Sequence, residues 1–219
     1  MEKKCKMRLI LGVSFLAAFV VWTILLCFVD VRAIGPRQSR VGFARVNEWF
    51  HALTGVNMWL YTITDWLGLV PIVAAFGFAV LGLVQWTKRK KLWKVDGNIL
   101  ALGVFYILVI AVYILFENIV VNYRPVLIEG YLEASYPSST TMLVMCVMPT
   151  TVMQLSMRIK NKAFKRCVVV TIGLFIAFMV VGRVLSGVHW ISDIVGGALF
   201  SVGLLLTYSF VVHLLSKKE

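Results

Sequence analysis

Six apolar runs of roughly membrane-spanning length constrain this chain more than any other feature. They lie at about 9–29, 66–86, 99–116, 140–155, 168–185 and 194–215. A spanning helix needs about 20 apolar residues. Within hydrocarbon every backbone polar group must also find its partner inside the protein. The first run is longer than the core of a secretory signal, about 7–15 residues, and it follows Lys3, Lys4, Lys6 and Arg8. The fourth is the shortest and contains Pro149. The expected fold is all-α and integral to the membrane: six transmembrane helices in one bundle, a single domain over residues 1–219.

The balance of residues agrees. The chain is 60% hydrophobic and 15% charged, where a soluble domain averages about 45–50% and about 25%. Its net charge of +12 would suggest nucleic acid in a soluble protein. Here the basic residues cluster beside the apolar runs: the N-terminus, 88–94, 158–166, and Lys217 with Lys218. Six crossings bring all four clusters to one side, the pattern of cytoplasmic loops facing anionic lipid. Nucleic acid is therefore excluded as a partner. The 30–65 segment, the 117–137 loop and the 182–193 stretch fall on the extracytoplasmic side. Cys5, Cys27, Cys146 and Cys167 have no metal-type spacing and are expected to be small buried hydrophobes.

Between the first two spans, Val46, Trp49, Phe50 and Leu53 recur at helical spacing among Arg32, Arg37, Arg40 and Arg45. This predicts an amphipathic helix in the interface, either a scaffold on the bundle or a rim for lipid entry.

The extracytoplasmic stretches concentrate the chemistry. Arg124 and Arg183 can clamp a phosphate, because the guanidinium fork matches its oxygens with paired hydrogen bonds. Ser138, Ser139 and Thr140 enter a predicted helix, where hydroxyls and backbone N–H groups favour an anion. His189 and Asp193 are four apart, so they share a helical face. A carboxylate there can hold one ring nitrogen while the other attacks phosphorus.

This order and spacing resemble the type 2 phosphatidic acid phosphatase superfamily, the membrane lipid-phosphate phosphatases. Its motifs read K-x-x-x-x-x-x-R-P, then P-S-G-H, then S-R-x-x-x-x-x-H-x-x-x-D. Arg124 and Pro125 match the end of the first, Pro137 and Ser138 the start of the second. Arg183, His189 and Asp193 match the third at its full spacing. The resemblance implies a lipid phosphate or prenyl diphosphate substrate taken from the extracytoplasmic leaflet of a bacterial plasma membrane. It implies His189 as the nucleophile of a phosphohistidine intermediate and Asp193 as its orienter. Arg124, Arg183, Ser138, Ser139 and Thr140 would hold the phosphate, with no metal and no cofactor.

Four positions depart from the pattern. Glu117 stands where the first motif has lysine, and Thr140 where the second has its general-acid histidine. Ser139 replaces a glycine and Gly182 a serine. A general acid is worth about 10²–10⁴ in rate, so two functions stay open. One is a phosphatase that tolerates the loss, with a good leaving group such as a diphosphate or with Glu117 as a replacement acid. The other is a non-catalytic or weakly active lipid-phosphate binder or transporter. Glu117 could also pair with Arg124, or join Glu129 and Glu133 around a divalent cation. His51 is expected on the interfacial helix, and His213 at the opposite face.

Overall fold

The computed structural model describes residues 2–216. Lys217 and Lys218 of the last basic cluster lie outside the described residues, as does the side chain of Lys4. Eight α-helices run α1 (Glu2–Phe28), α2 (Ala44–Thr54), α3 (Met58–Leu67), α4 (Leu69–Arg89), α5 (Gly97–Asn118), α6 (Ser139–Arg158), α7 (Lys162–Ser186) and α8 (Ile191–Leu215). Six stretches are long and apolar enough to cross a membrane, with α3 and α4 counted together as Met58–Arg89. The predicted bundle is therefore present. Helices α1, α5, α6, α7 and α8 are longer than their apolar runs, with α1 ending one residue short at Phe28. Helix α4 starts and ends three residues later than the run expected at 66–86.

One boundary differs in kind. The second span, expected at 66–86, is preceded without a loop by α3, which the sequence places in the interfacial segment. Gly68 caps α3 and opens α4, its N–H bonding back to Thr64 and Asp65 carbonyls at 3.1 and 3.0 Å. Trp59, Tyr61 and Trp66 of α3 are residue types favoured at the headgroup level. Yet Thr64 of α3 is fully buried, because α3 packs on α7. A Cβ on Gly182 of α7 would come 2.7 Å from Thr64 Cγ2, so only glycine permits this approach. The expected interfacial helix is α2, whose Val46, Trp49 and Leu53 remain exposed.

At the centre stands α6. It is the least hydropathic of the spanning helices and the most buried. Its polar residues face helices rather than lipid, which explains why its apolar run looks short. Pro149 removes one backbone donor, while Thr150 and Thr151 hydroxyls bond back to the Cys146 and Val147 carbonyls at 2.8–2.9 Å. Along α1 and α8 the backbones nearly touch. A Cβ on Gly12 would lie 2.6 Å from Thr207 Oγ1, and one on Gly203 2.9 Å from Leu16 N.

The core joins Phe19 and Leu26 of α1, Leu102 and Phe105 of α5, Met142 of α6, and Phe200, Leu204 and Tyr208 of α8. Cys5 and Cys146 are buried as expected, but Cys27 and Cys167 are exposed on helix surfaces. In a bilayer protein the outer surface is itself apolar, so small apolar side chains need not turn inward.

The loop between α5 and α6 folds back on itself through isolated antiparallel bridges, Tyr123 with Ala134 and Ile128 with Tyr131. This hairpin sets Arg124 opposite Glu133 and Ser135 opposite Asn122, through backbone bonds of 3.1 and 2.9 Å.

Candidate active site

The hairpin, the N-terminus of α6, the end of α7 and the start of α8 meet at one end of the bundle. Arg183, His189 and Asp193 are 1%, 4% and 0% exposed. Gly187, at φ 64°, turns the chain from α7 into the 187–190 connection, and a Cβ there would meet Gly55 O at 1.8 Å. His51 of α2 holds this turn: its Nε2 donates to Gly187 O at 3.0 Å, and its ring packs on Trp190. It is thus a support for the turn, as well as the interfacial helix residue expected.

Asp193 sits in the first turn of α8 and accepts four hydrogen bonds. Asn122 Nδ2 and Ser192 Oγ donate to Oδ1 at 2.9 and 3.3 Å. Ser135 Oγ and Trp190 N donate to Oδ2 at 2.5 and 3.1 Å. The last of these caps α8. No hydrogen bond or ion pair joins Asp193 to the His189 ring. His189 Nδ1 faces Ser135 instead, 2.9 Å from its Oγ and 3.1 Å from its carbonyl. Direct orientation of the ring by Asp193 is therefore corrected: the four-residue spacing exists, but His189 precedes the helix and Asp193 lies within it. Buried Asn47 extends the network, exchanging bonds with Ser192 at 2.9 and 3.2 Å.

The arginines share an aromatic base. Arg183 and Arg124 lie 4.8 and 5.8 Å from the Tyr61 ring centroid. Arg183 Nη2 bonds Asp65 Oδ1 at 3.0 Å and also the Thr140 hydroxyl. Arg124 Nε lies 3.0 Å from Glu133 Oε2, but off the line of a hydrogen bond, since Nε has no hydrogen-bond partner. The partner of Arg124 is thus Glu133 and not Glu117, which is exposed and lines a small cleft with Ser135, Ser139 and His189. Among the described residues Glu117, Glu129 and Glu133 form no metal-type cluster.

Buried polar atoms with no partner mark where a ligand fits. They include Arg124 Nη1, Arg183 Nε and His189 Nε2. Leaving such groups unpaired costs about 1–3 kcal/mol each, so a phosphate offering oxygens to both guanidiniums suits the site. Burial holds the His189 pKa well below the usual imidazole value, and the positive charges of Arg124 and Arg183 lower it further. Both effects favour the neutral ring, the form with a free lone pair on one nitrogen.

The α6 N-terminus contributes less than its sequence promises. Ser138 N donates to Asp193 O at 3.1 Å, and its hydroxyl accepts from Thr141 at 3.0 Å. Ser138 thus joins α6 to α8 and has no N–H to spare for an anion. Ser139 is partly exposed and lines the cleft beside His189. Thr140, at the position of the lost acid, holds Arg183. Sequence reasoning missed Ser135, Asn47, Tyr61, Thr64 and Asp65 as parts of the site. Tyr61, Thr64 and Asp65 repeat at i, i+3, i+4 on one helical face, the signal in the sequence that points to a buried contact there.

Fold and site define a six-span, all-helical membrane protein with two buried arginines and a buried histidine beneath a hairpin. Residues 118–217 match the family model of the PAP2 superfamily, the type 2 phosphatidic acid phosphatases that the motifs resemble. All three matched motif ends lie within that range, and Glu117 falls one residue outside it. Among solved structures the chain is similar to the transmembrane PAP2-type phosphatidylglycerolphosphate phosphatase of Bacillus subtilis. The identity is 22% and the TM-score 0.60, over 95% of this chain and 97% of that one. This likeness shows the fold. A search of the curated proteins found no match.

Proposed function

We propose that the chain, acting as one unit over residues 1–219, is a phosphatase of lipid phosphates or prenyl diphosphates at the extracytoplasmic face of a bacterial plasma membrane. The observation that carries this is the buried His189 Nε2 with no partner beside two arginines with unpaired N–H groups. The match to a phosphatase superfamily and a solved phosphatase of the same fold support it. So does a groove of about 720 Å³ between α4, α5 and α6. Its polar end is Asp65, Ser139 and Thr140, and its walls are apolar, with Ile72, Phe76, Ile110 and Val147. From Thr140 to Val147 it follows α6 for about 10 Å at 1.5 Å per residue, which suits a lipid tail. The lysine clusters give the orientation, with both termini cytoplasmic.

In the first step the Nε2 lone pair of His189 attacks phosphorus. The bond to the lipid oxygen breaks, and its electron pair leaves with that oxygen. Thr140 can hydrogen-bond but cannot serve as an acid near neutral pH, so the leaving oxygen takes its proton from solvent. That favours a leaving group that is already a weak base, such as a phosphate. Arg124 and Arg183 hold the phosphoryl oxygens. A water then attacks phosphorus, the N–P bond pair returns to Nε2, and inorganic phosphate leaves with the water's oxygen.

The test is phosphate release by purified protein from a panel of lipid phosphates and diphosphates. His189→Ala should reduce release to background, a loss of at least about 10³-fold for a missing nucleophile. Equal release by both proteins at high enzyme concentration rejects the phosphatase. A second reading is favoured by one observation, that Asp65 and Glu133 already accompany the arginines. In that reading the site binds or transports a lipid phosphate without cleaving it, and Arg124→Gln abolishes binding while no phosphate is ever released.

A further inference from the structure

Ser135 lies outside the three motifs and has no part in the phosphatase reading above. It is nonetheless the residue that His189 touches twice. The hydroxyl has one proton, and it goes to Asp193 Oδ2 at 2.5 Å. Toward His189 Nδ1, at 2.9 Å, Ser135 Oγ can then only accept. Its carbonyl, 3.1 Å from the same nitrogen, can also only accept. Two acceptors facing Nδ1 place the ring proton there and leave the lone pair on Nε2, the atom without a partner.

Asp193 has no capacity left for direct contact. A carboxylate offers about four lone-pair sites, and Asn122, Ser192, Ser135 and Trp190 take four. Ser135 itself is fixed. Its N–H donates to Asn122 O at 2.9 Å, and Asn122 Oδ1 accepts from Gly42 N at 3.1 Å. Ser135 and Asp193 are 2% and 0% exposed, so bulk water does not compete for these bonds.

We propose that Ser135 is a positioning residue of the active site, which fixes the Nδ1–H tautomer of His189 and transmits the Asp193 carboxylate to the ring through its hydroxyl. This rests on the phosphatase reading for its catalytic consequence and on geometry alone for its effect on the ring. When Nε2 bonds to phosphorus the ring becomes positive, and the Asp193 carboxylate is one hydroxyl away from Nδ1. Ser135 exchanges no atom with substrate; it holds Nδ1–H throughout.

The experiment combines imidazole ¹⁵N spectra with kinetics on the full-length protein in lipid. The variants are Ser135→Ala, Ser135→Thr, Asp193→Asn and the Ser135→Ala/Asp193→Asn pair, with His189→Gln to assign the signal. Wild type should show unprotonated Nε2 in a single tautomer. Ser135→Ala, left with the backbone carbonyl as its one acceptor at Nδ1, should show a shifted Nδ1–H signal and a larger share of the other tautomer. In turnover, Ser135→Ala should lower kcat by about tenfold or more, as loss of a ring orienter does, with KM changed less than about twofold. Ser135→Thr should restore both the tautomer and kcat. The double variant should be no slower than the slower single one, because Asp193 acts through Ser135. An unchanged ring signal in Ser135→Ala overturns the proposal, as does a kcat loss that threonine fails to rescue. If the tautomer shifts as expected while even wild type releases no phosphate, the positioning role holds and the phosphatase reading falls.

Discussion

The two halves of the site are built on opposite plans. Behind His189 the site is buried and bonded: Asn122, Ser135, Ser192 and Asp193 bond one another under the hairpin, while Nε2 of the ring is left without a partner. Around Thr140 the site opens into the apolar groove, and Arg183 is tied to Asp65, whose side chain is 56% exposed. The His189 half is held by buried bonds, for which water competes little. The Thr140 half is held by an ion pair that a phosphate can replace. The two altered motif positions fall on different sides: Thr140 lines the apolar groove and accepts from Arg183, whereas exposed Glu117 lines the small cleft beside His189. Loss of the Asp193 carboxylate or of the Ser135 hydroxyl would strand buried polar groups.

Among the substitutions that probe the two halves, the largest effect should come from Arg124, which shares the Tyr61 ring with Arg183 and whose charge acts on His189. Arg124→Gln removes a phosphate contact and should lower kcat/KM by roughly 10- to 100-fold, equivalent to about 1.5–3 kcal/mol for a charged hydrogen bond. It should also move the acid limb of the pH–rate profile. In wild type that limb lies below the ordinary imidazole value of about 6.5, because burial and then Arg124 and Arg183 disfavour the cation. Removing one positive charge makes protonation easier, so the limb moves to higher pH. The same sign governs stability. Between the lowered value and about 6.5 the unfolded chain binds the extra proton. Stability from His189 is therefore present above pH 6.5 and is lost as pH falls through that window. A limb that stays in place in Arg124→Gln would show that the halves are electrostatically separate.

A smaller effect tests the two altered motif positions. Thr140→His with Glu117→Lys should raise hydrolysis of an alkyl phosphate by about tenfold or more, since a general acid contributes 10²–10⁴ and the lost Thr140–Arg183 bond offsets part of the gain. Diphosphate hydrolysis should change much less. Equal gains on both substrates would remove leaving-group basicity as the explanation. The smallest effect belongs to Asp65→Asn. Freed of its carboxylate, Arg183 should bind phosphate about two- to fivefold more tightly, the range of a half-exposed ion pair. A KM that rises instead would make Asp65 an aid to binding rather than a competitor.

Much of this was legible in the chain. Hydropathy alone determined six spans, because hydrocarbon admits no unsatisfied backbone. The spacing of Arg183, His189 and Asp193 located the site, since residues bracketing one short turn cannot be far apart. Four features needed the tertiary structure. The role of α3 was hidden because its aromatics fit an interface as well as a helix contact. Arg124 chose Glu133 over Glu117 because the hairpin register sets them opposite, and register is not written in one strand. Ser138 spends its N–H on α8, a bond between segments far apart in sequence. Finally, Asp193 reaches His189 only through Ser135. Sequence determined that a carboxylate lies four residues from the histidine. Only the folded chain decided that the carboxylate caps a helix, fills its four acceptor sites, and leaves a serine hydroxyl between the two.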